Sequence, residues 1–350
     1  MSPFYTLRIN KIERATDLAV AIGFELPTEL QKVFAYEAGQ YVTLKTTING
    51  SEVRRAYSLC SSPHSGEWTV AVKEVPDGTF SALANNQLQV GDTLEVHPPE
   101  GKFILKTDPA NEKCYAAFAA GSGITPILSM IRAVLNQEPK SKFVLVYGNR
   151  SVKETMFHKE LLELQLDHPE QLHIEFIYSR TQEQDARFGR IERSTVNYVI
   201  KNKFSDFDFD QYFLCGPEPM IDEVSSVLKS QGVPEDKIAF ELFTSSQEEA
   251  VPEEAREGES KLQVVVDEET FEFSMKQDQV ILDAVLEEGI DAPYSCQGGI
   301  CSSCIARITA GSATMRKNQI LTDGEVAEGL VLTCQAHPTT PKVIVNYDEV

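Results

Sequence analysis

No run of about 18 apolar residues occurs in the sequence, so no segment is expected to cross a membrane as a helix. Basic residues are scarce: 32 Lys and Arg stand against 53 Asp and Glu, a net charge of −21. A deficit of that size argues against nucleic acid as a partner, because phosphate backbones demand a basic face. The opening stretch MSPFYTLRINKIER has no basic region followed by an apolar one and alternates like a strand, so no secretory leader is expected. The seven cysteines are odd in number, which speaks against a disulfide framework and for a reducing compartment. A soluble, cytoplasmic chain is the expectation. Internal repeats are absent, and 42% hydrophobic with 24% charged residues argues against a disordered tail, a collagen or a coiled coil.

What is present is too long for one core, since 350 residues exceed the usual domain size and suggest two or three domains. Residues 1–108 read as short strands separated by Gly, Pro, Asn and Asp: YTLRINKI, LAVAIGFEL, QYVTLKTTI, WTVAVKEV and TLEVHPP. That spacing predicts an antiparallel barrel or sandwich. Over 109–243 strands alternate with helices, from CYAAFAA and a helix over 125–137 through FVLVYG, the helix ETMFHKELLELQ, LHIEFIYS, QYFLCG and the helix EPMIDEVSSVLKS. Such alternation predicts a doubly wound α/β parallel sheet. Residues 244–261, TSSQEEAVPEEAREGESK, lack apolar periodicity and read as an acidic linker, or alternatively as a short exposed helix. In the last stretch, 262–350, LQVVVDEETFEFSM reads as a hairpin, VILDAVLEEG as a helix and KVIVNY as a closing strand. This stretch holds 14 acidic and five basic residues, so a disproportionate share of the negative charge lies at this end. That charge reads either as solubility or as one half of a docking pair.

Four of the cysteines fall here as Cys296-x₄-Cys301-x₂-Cys304 followed by Cys334, the spacing of a plant-type two-iron cluster. Three thiolates on one tight loop wrap one side of the cluster, and the fourth closes it from another segment. Gly298 and Gly299 are expected to take positive φ and turn amides toward sulfur, with Ser295, Ser302 and Ser303 small enough for close approach. The competing structural zinc site wants paired C-x₂-C hairpins, and only one C-x₂-C is present. Of the other cysteines, Cys60 and Cys114 read as buried fillers, and Cys215 as either core or site.

Further signatures point to nucleotides. Arg55-Ala56-Tyr57-Ser58 closes a predicted barrel strand and offers a guanidinium, a ring and a hydroxyl. Val72-Lys73 and Gly78-Thr79-Phe80-Ser81 follow, the latter a glycine turn opening a helix, a natural seat for a pyrophosphate. Gly121-Ser122-Gly123-Ile124-Thr125-Pro126 lies between a buried strand and a helix, without the third glycine of the usual dinucleotide fingerprint. Cys215-Gly216-Pro217 leaves a later strand at the same carboxyl end of the sheet, where ligands of open α/β sheets bind.

Together with Y-G-N-R and C-G-P-x-x-M, these motifs resemble the ferredoxin–NADP reductase superfamily. With the C-terminal cysteine pattern, the whole chain resembles reductase components of bacterial oxygenases, those of ring-1,2-epoxidase and steroid 9α-hydroxylase systems among them. The resemblance implies an antiparallel β-barrel flavin domain (1–108), a nucleotide domain (109–243) and a β-grasp-like α+β ferredoxin domain (262–350). It implies FAD held by Arg55, Tyr57, Ser58, Val72, Lys73, Gly78, Phe80 and Ser81, with Phe243 near the flavin or simply in the core. It implies a nicotinamide nucleotide on Gly121, Gly123, Thr125, Cys215, Gly216 and Pro217. It also implies a 2Fe-2S cluster on Cys296, Cys301, Cys304 and Cys334. Asn149, Arg150, Ser179, Arg180 and Arg190 lie where a 2′-phosphate would bind, which favours NADPH over NADH. FMN in place of FAD stays open. No side chain need act as acid, base or nucleophile: Thr125 and Cys215 stand near the junction of an electron relay. An oxygenase or epoxidase component with a basic docking face is the implied partner, and a redox-sensing flavoprotein is the rival reading.

Overall fold

The computed structural model describes residues 3–243, 252 and 258–350. The acidic linker expected over 244–261 lies outside the described residues, apart from Pro252 and 258–261, and Glu259 already begins a strand. The chain divides into two compact units, one built on Phe4–Val53 and Tyr57–Thr244, the other on Met1–Pro3, Arg54–Ala56 and Ser245–Val350.

Alternation of apolar and polar residues produces the first six strands: β1 (Tyr5–Thr16), β2 (Ala19–Glu25), β3 (Tyr41–Ile48), β4 (Ser51–Ser58), β5 (Trp68–Lys73) and β6 (Thr93–Val96). They lie in the order β4-β3-β6-β1-β2-β5. A bridge between Leu59 and Val70 joins the two ends and closes the barrel. Between β5 and β6, α1 (Thr79–Asn86) covers the core, burying Phe80 and Ala84. Asn85 fastens it, donating from Nδ2 to the carbonyls of Val72 and Ser81 and accepting from Arg14.

The parallel sheet follows, as the strand–helix alternation predicts. It consists of β7 (Cys114–Ala120), β8 (Lys142–Asn149), β9 (Leu172–Tyr178), β10 (Arg187–Phe188), β11 (Gln211–Gly216) and β12 (Ile238–Leu242) in the order β10-β9-β8-β7-β11-β12. The chain starts in the middle, runs outward through β8 and β9, then returns to the other side of β7. Its direction therefore switches between β7 and β11. The helices are α2 (Ile124–Gln137), α3 (His158–Asp167), α4 (Arg193–Asn197, continued by a π-helical turn Tyr198–Lys203) and α5 (Glu218–Ser230). The helix expected from Glu154 begins only at His158. Phe157 adopts φ +59°, and the hydroxyl of Thr155 turns back to the Ser151 carbonyl, which closes a separate turn first.

Barrel and sheet share one core. Ala19, Cys60, Ala71 and Phe103 pack in the same cluster as Ala117, Ile127, Phe213 and Cys215. Polar ties reinforce it: Ser129 Oγ donates to the Ser61 carbonyl, and Arg132 bridges the Cys60 carbonyl and Glu160. Cys60 is buried as expected. Cys114 is not: it stands half-buried at the start of β7, because the strand enters there from solvent beside Asp210.

In the C-terminal unit, β13 (Glu259–Val266) and β14 (Glu269–Lys276) form the expected hairpin around Asp267-Glu268, both at positive φ. Asp348 caps this turn through both amides. Helix α6 (Ile281–Glu287) precedes the cysteine loop. Then come β15 (Ile305–Ala310), β16 (Ala313–Met315), α7 (Asp323–Ala327), β17 (Leu330–Leu332), β18 (Ala336–Pro338) and β19 (Lys342–Asn346). The main sheet, β14-β13-β19-β15-β17, is mixed, with β13 parallel to β19 and its other pairs antiparallel.

Candidate functional site

The direction switch brings two loops together. At the end of β7, Gly121–Gly123 makes a 3₁₀ turn into α2, while at the end of β11 Cys215-Gly216-Pro217 leads into α5. They touch so closely that a Cβ on Gly123 would lie 2.1 Å from the Cys215 carbonyl oxygen. Gly123 has an ordinary helical φ of −60°, so it is glycine for space and not for conformation. Gly121 is the reverse, at φ +56° with nothing near its missing Cβ except Lys73 Nζ at 3.9 Å. The turn is held from below by the Tyr147 hydroxyl, which donates to the Gly121 carbonyl at 2.8 Å. Thr125 is buried and spends its hydroxyl on the Ser122 carbonyl.

From the barrel side, β4 ends at Ser58, whose Oγ donates to Glu241 Oε2 at 3.3 Å. Glu241 was not anticipated. It sits on β12, where Phe240 is 43% exposed and Glu241 8%, so polarity and burial run opposite to the usual alternation of a strand. Burial pushes its carboxyl up to about 8, partly countered by the Ser58 hydroxyl. The Cys215 thiol is also held well above its ordinary range, first by burial and then by the charge of Glu241. Ser58, Cys215 and Glu241 thus form one buried cluster beside the glycine turn. Phe243, just past β12, is half-buried against the shared core.

The other expected flavin residues lie on neighbouring elements. Tyr57 packs on Phe80 with ring centres 5.4 Å apart. Arg55 is half-buried and donates to the Arg54 carbonyl. Val72 and Phe80 turn their side chains into the barrel core. Gly78 caps α1 because a Cβ there would meet Ser81 Oγ at 2.2 Å, and that hydroxyl accepts from the Val75 amide. Lys73 is half-buried, which lowers its ammonium below the usual lysine range, and it reaches toward the glycine turn. An exposed glycine-capped helix start, an aromatic face and a buried hydroxyl suit a flavin nucleotide.

At the far edge of the sheet, Ser179-Arg180 runs beside Asn149-Arg150, with amides of the former bonded to carbonyls of the latter at 3.0 and 2.9 Å. Arg150 pairs with Glu154 at 3.7 Å, whereas Arg180 and Arg190 are exposed and make no ion pair among the described residues. Thr181 Oγ1 is buried with no partner among the described residues, which suits a polar ligand lying across these strand ends.

The cysteine loop runs without helix or strand from Asp291 to Cys304, and Cys334 approaches it from between β17 and β18. The thiols of Cys301 and Cys334 hydrogen-bond to Cys296 and hold it well below its ordinary range, while Cys301 and Cys334 are pushed well above theirs. Cys304 completes the chain of contacts through Cys334. Among the described residues no three His, Cys, Asp or Glu side chains gather as a single-ion site would. Four thiols meeting pairwise suit two irons instead, each of which takes two of them. Gly298 N–H lies 3.4 Å from Cys296 Sγ, and Ser295 Oγ is buried without a partner among the described residues. The left-handed positions are Gln297 (φ +52°) and Gly299 (φ +71°); Gly298, expected to share that role, does not. Gln297 makes the turn in its place, which aims the Gly298 amide at sulfur.

Comparison with known proteins agrees with this layout. Residues 7–104 match the oxidoreductase FAD-binding domain family, 118–226 the oxidoreductase NAD-binding domain family, and 264–339 the 2Fe-2S iron-sulfur cluster binding domain family. The chain is 37% identical to one of the subunits of the 1,2-phenylacetyl-CoA epoxidase of Escherichia coli strain K12, over 99% of both chains. It is 31% identical to the ferredoxin reductase component of 3-ketosteroid-9-alpha-monooxygenase of Rhodococcus rhodochrous, over 97% of this chain and 96% of that one. Phthalate dioxygenase reductase has the same fold, with a TM-score of 0.63 over 98% of each chain at 23% identity.

Proposed function

Because the chain belongs to the ferredoxin–NADP reductase superfamily, in the branch with a C-terminal plant-type ferredoxin domain, we propose that it takes a hydride from NADPH and delivers single electrons to an oxygenase component, with phenylacetyl-CoA 1,2-epoxidase as that acceptor. FAD, when bound, turns a two-electron hydride into the single electrons that a two-iron cluster carries.

The observation that supports this most directly is the meeting of the Gly121–Gly123 turn, Cys215 and the Ser58–Glu241 pair at the switch between β7 and β11. A nicotinamide delivered there along the turn lies against the barrel end that carries Tyr57 and Ser58. Gly123 lets the two loops close up and exclude water. Glu241 holds its proton at neutral pH and supports the Ser58 hydroxyl, so no buried negative charge faces an incoming hydride. Cys215 stays a thiol and acts through shape. Arg55 and the α1 terminus with Gly78 would hold the flavin phosphates, and Arg180 with Arg190 a 2′-phosphate. Cys296, Cys301, Cys304 and Cys334 would hold the cluster.

Anaerobic reduction by NADPH, with the extracted flavin identified by chromatography, tests the first half and separates FAD from FMN. The second half is tested with Cys296→Ser. Cytochrome c reduction is expected to fall at least about 100-fold, while reduction of ferricyanide by the flavin survives. A cluster that NADPH cannot reduce supports the sensor reading instead. Acceptor identity is tested by turnover with the purified oxygenase subunits. The strongly acidic C-terminal stretch supports docking on a basic face, and turnover is expected to weaken as salt rises. Rates flat across ionic strength would sink that docking mode.

A further inference from the structure

The cysteine loop is crossed by a side chain that cluster binding itself does not require. Gln335 follows Cys334 and is only 4% exposed. Its Nε2 donates to the Gln297 carbonyl at 3.2 Å and to the Cys334 carbonyl at 2.8 Å, and lies 3.6 Å from Cys334 Sγ. One amide group therefore spans both segments that supply thiols. Its other end, Oε1, accepts from Arg316 Nε at 3.1 Å, and the Arg316 amide donates to the Gln335 carbonyl at 3.0 Å. A guanidinium only donates, so Arg316 fixes which end of the amide faces sulfur. Gly299 makes the crossing possible, since a Cβ there would stand 2.8 Å from Gln335 Cγ.

We propose that Gln335, oriented by Arg316, is a positioning residue that sets the reduction potential of the cluster by presenting an N–H to the Cys334 sulfur. The proposal rests on the cluster reading above. One electron from the NADPH-reduced flavin would reduce one iron with no bond formed or broken, and the cluster with its thiolates would gain one unit of negative charge. An N–H dipole aimed at a ligand sulfur favours the more negative state, so it raises the potential. Glutamine supplies that dipole without a charge, and the Gln297 bond keeps it from swinging away.

The test is a redox titration of the full chain carrying its cluster, followed by visible absorption and electron paramagnetic resonance. It compares wild type with Gln335→Leu, Gln335→Glu and Arg316→Leu. Gln335→Leu is expected to lower the midpoint by up to about 59 mV, a tenfold change for one electron. Gln335→Glu lowers it further, because a carboxylate replaces the donor. Arg316→Leu lowers it less, since the amide remains but loses its orientation. If Gln335→Leu does not retain iron, the Arg316→Leu shift alone decides. Midpoints equal to wild type in the variants that retain two irons and two sulfides overturn the proposal, and so does faster cluster loss at an unchanged midpoint, which would make Gln335 a loop clasp. A wild-type chain that binds no two-iron cluster overturns it together with the cluster reading, and iron and sulfide analysis reveals that failure before any variant is made.

Discussion

Two places in this chain that hold cysteine, the cleft with Cys215 and the loop with Cys296, treat the thiol in opposite ways. At the switch between β7 and β11, burial and the neighbouring Glu241 keep the Cys215 proton in place, and the carboxyl itself is pushed up to about 8. In the cysteine loop, hydrogen bonds from Cys301 and Cys334 hold Cys296 well below its ordinary range. Cys215 is fully buried and Cys296 only partly. The difference lies in what the neighbours offer: a carboxyl and carbonyls in the cleft, thiols and backbone amides in the loop. A cleft that is to receive hydride and phosphates would do best without fixed anions of its own, whereas a loop that is to hold iron would have to supply them.

The cleft depends on close approach of backbone, and that is the part of the comparison most easily broken. Gly123→Ala places a methyl 2.1 Å from the Cys215 carbonyl oxygen, and the loop has no flexible side chain there to give way. A cost of about 3 kcal/mol is expected, together with at least a tenfold loss of nicotinamide nucleotide affinity. Gly121→Ala, two residues away, is strained by its φ of +56° but meets open space, so about 1 kcal/mol suffices. Thermal unfolding and nucleotide titration of the two variants check this order. Equal losses would mean that the turn tolerates separation from β11, and the cleft would then be softer than its packing indicates.

How far each site was legible in the sequence follows from the same contrast. The proposed cluster ligands are side chains at fixed spacing, so four cysteines suffice to propose them from the sequence. The glycine turn and the end of β11 were readable as loops at strand ends, but only the parallel register of β7 and β11 places Gly123 on Cys215. Glu241 was passed over because IAFEL suggests that Phe faces in and Glu faces out, and the fold does the opposite. Burying a carboxyl there opposes the hydrophobic pattern, and only the partner Ser58, 183 residues earlier, makes sense of it. The start of α3 was misplaced for a local reason, a left-handed Phe157 that composition does not announce. Two-residue β10 and the π-helical turn after α4 fall below what periodicity can resolve.

The protonated state of Glu241 has a sign that can be measured. Its folded value of about 8 lies above the ordinary 4.5, so between those values the folded chain holds a proton that the unfolded chain has released. Stability of the flavin–nucleotide unit should therefore fall as pH rises through that window, by up to about 5 kcal/mol at 1.36 kcal/mol per pH unit. Glu241→Gln removes the titration and keeps an oxygen for the Ser58 hydroxyl. Its stability relative to the parent should grow from pH 5 to pH 8 and then level off. Trp68, the single tryptophan, lies in the barrel with its Nε1 on the Phe34 carbonyl, so its fluorescence follows this unit alone. Parallel curves for parent and variant would mean that the carboxyl ionises freely, and the contrast with the cysteine loop would lose its electrostatic basis.

The last expected effect concerns the rim of the cleft, where cations are exposed and salt screens them. Arg150 is partly engaged with Glu154, and Arg187 lies 3.9 Å over the Tyr198 ring, whereas Arg180 has no such commitment among the described residues. A 2′-phosphate would take the uncommitted guanidinium first, because no existing pair has to be broken. Arg180→Ala should therefore raise KM for NADPH about tenfold, equivalent to about 1.4 kcal/mol, and leave KM for NADH unchanged. The ratio should shrink as ionic strength rises, since the contact is exposed. Equal increases for both nucleotides would place Arg180 on the shared pyrophosphate or in the fold of the loop. Selection of NADPH would then have to come from Arg190 or from Thr181, whose Oγ1 is buried with no partner among the described residues.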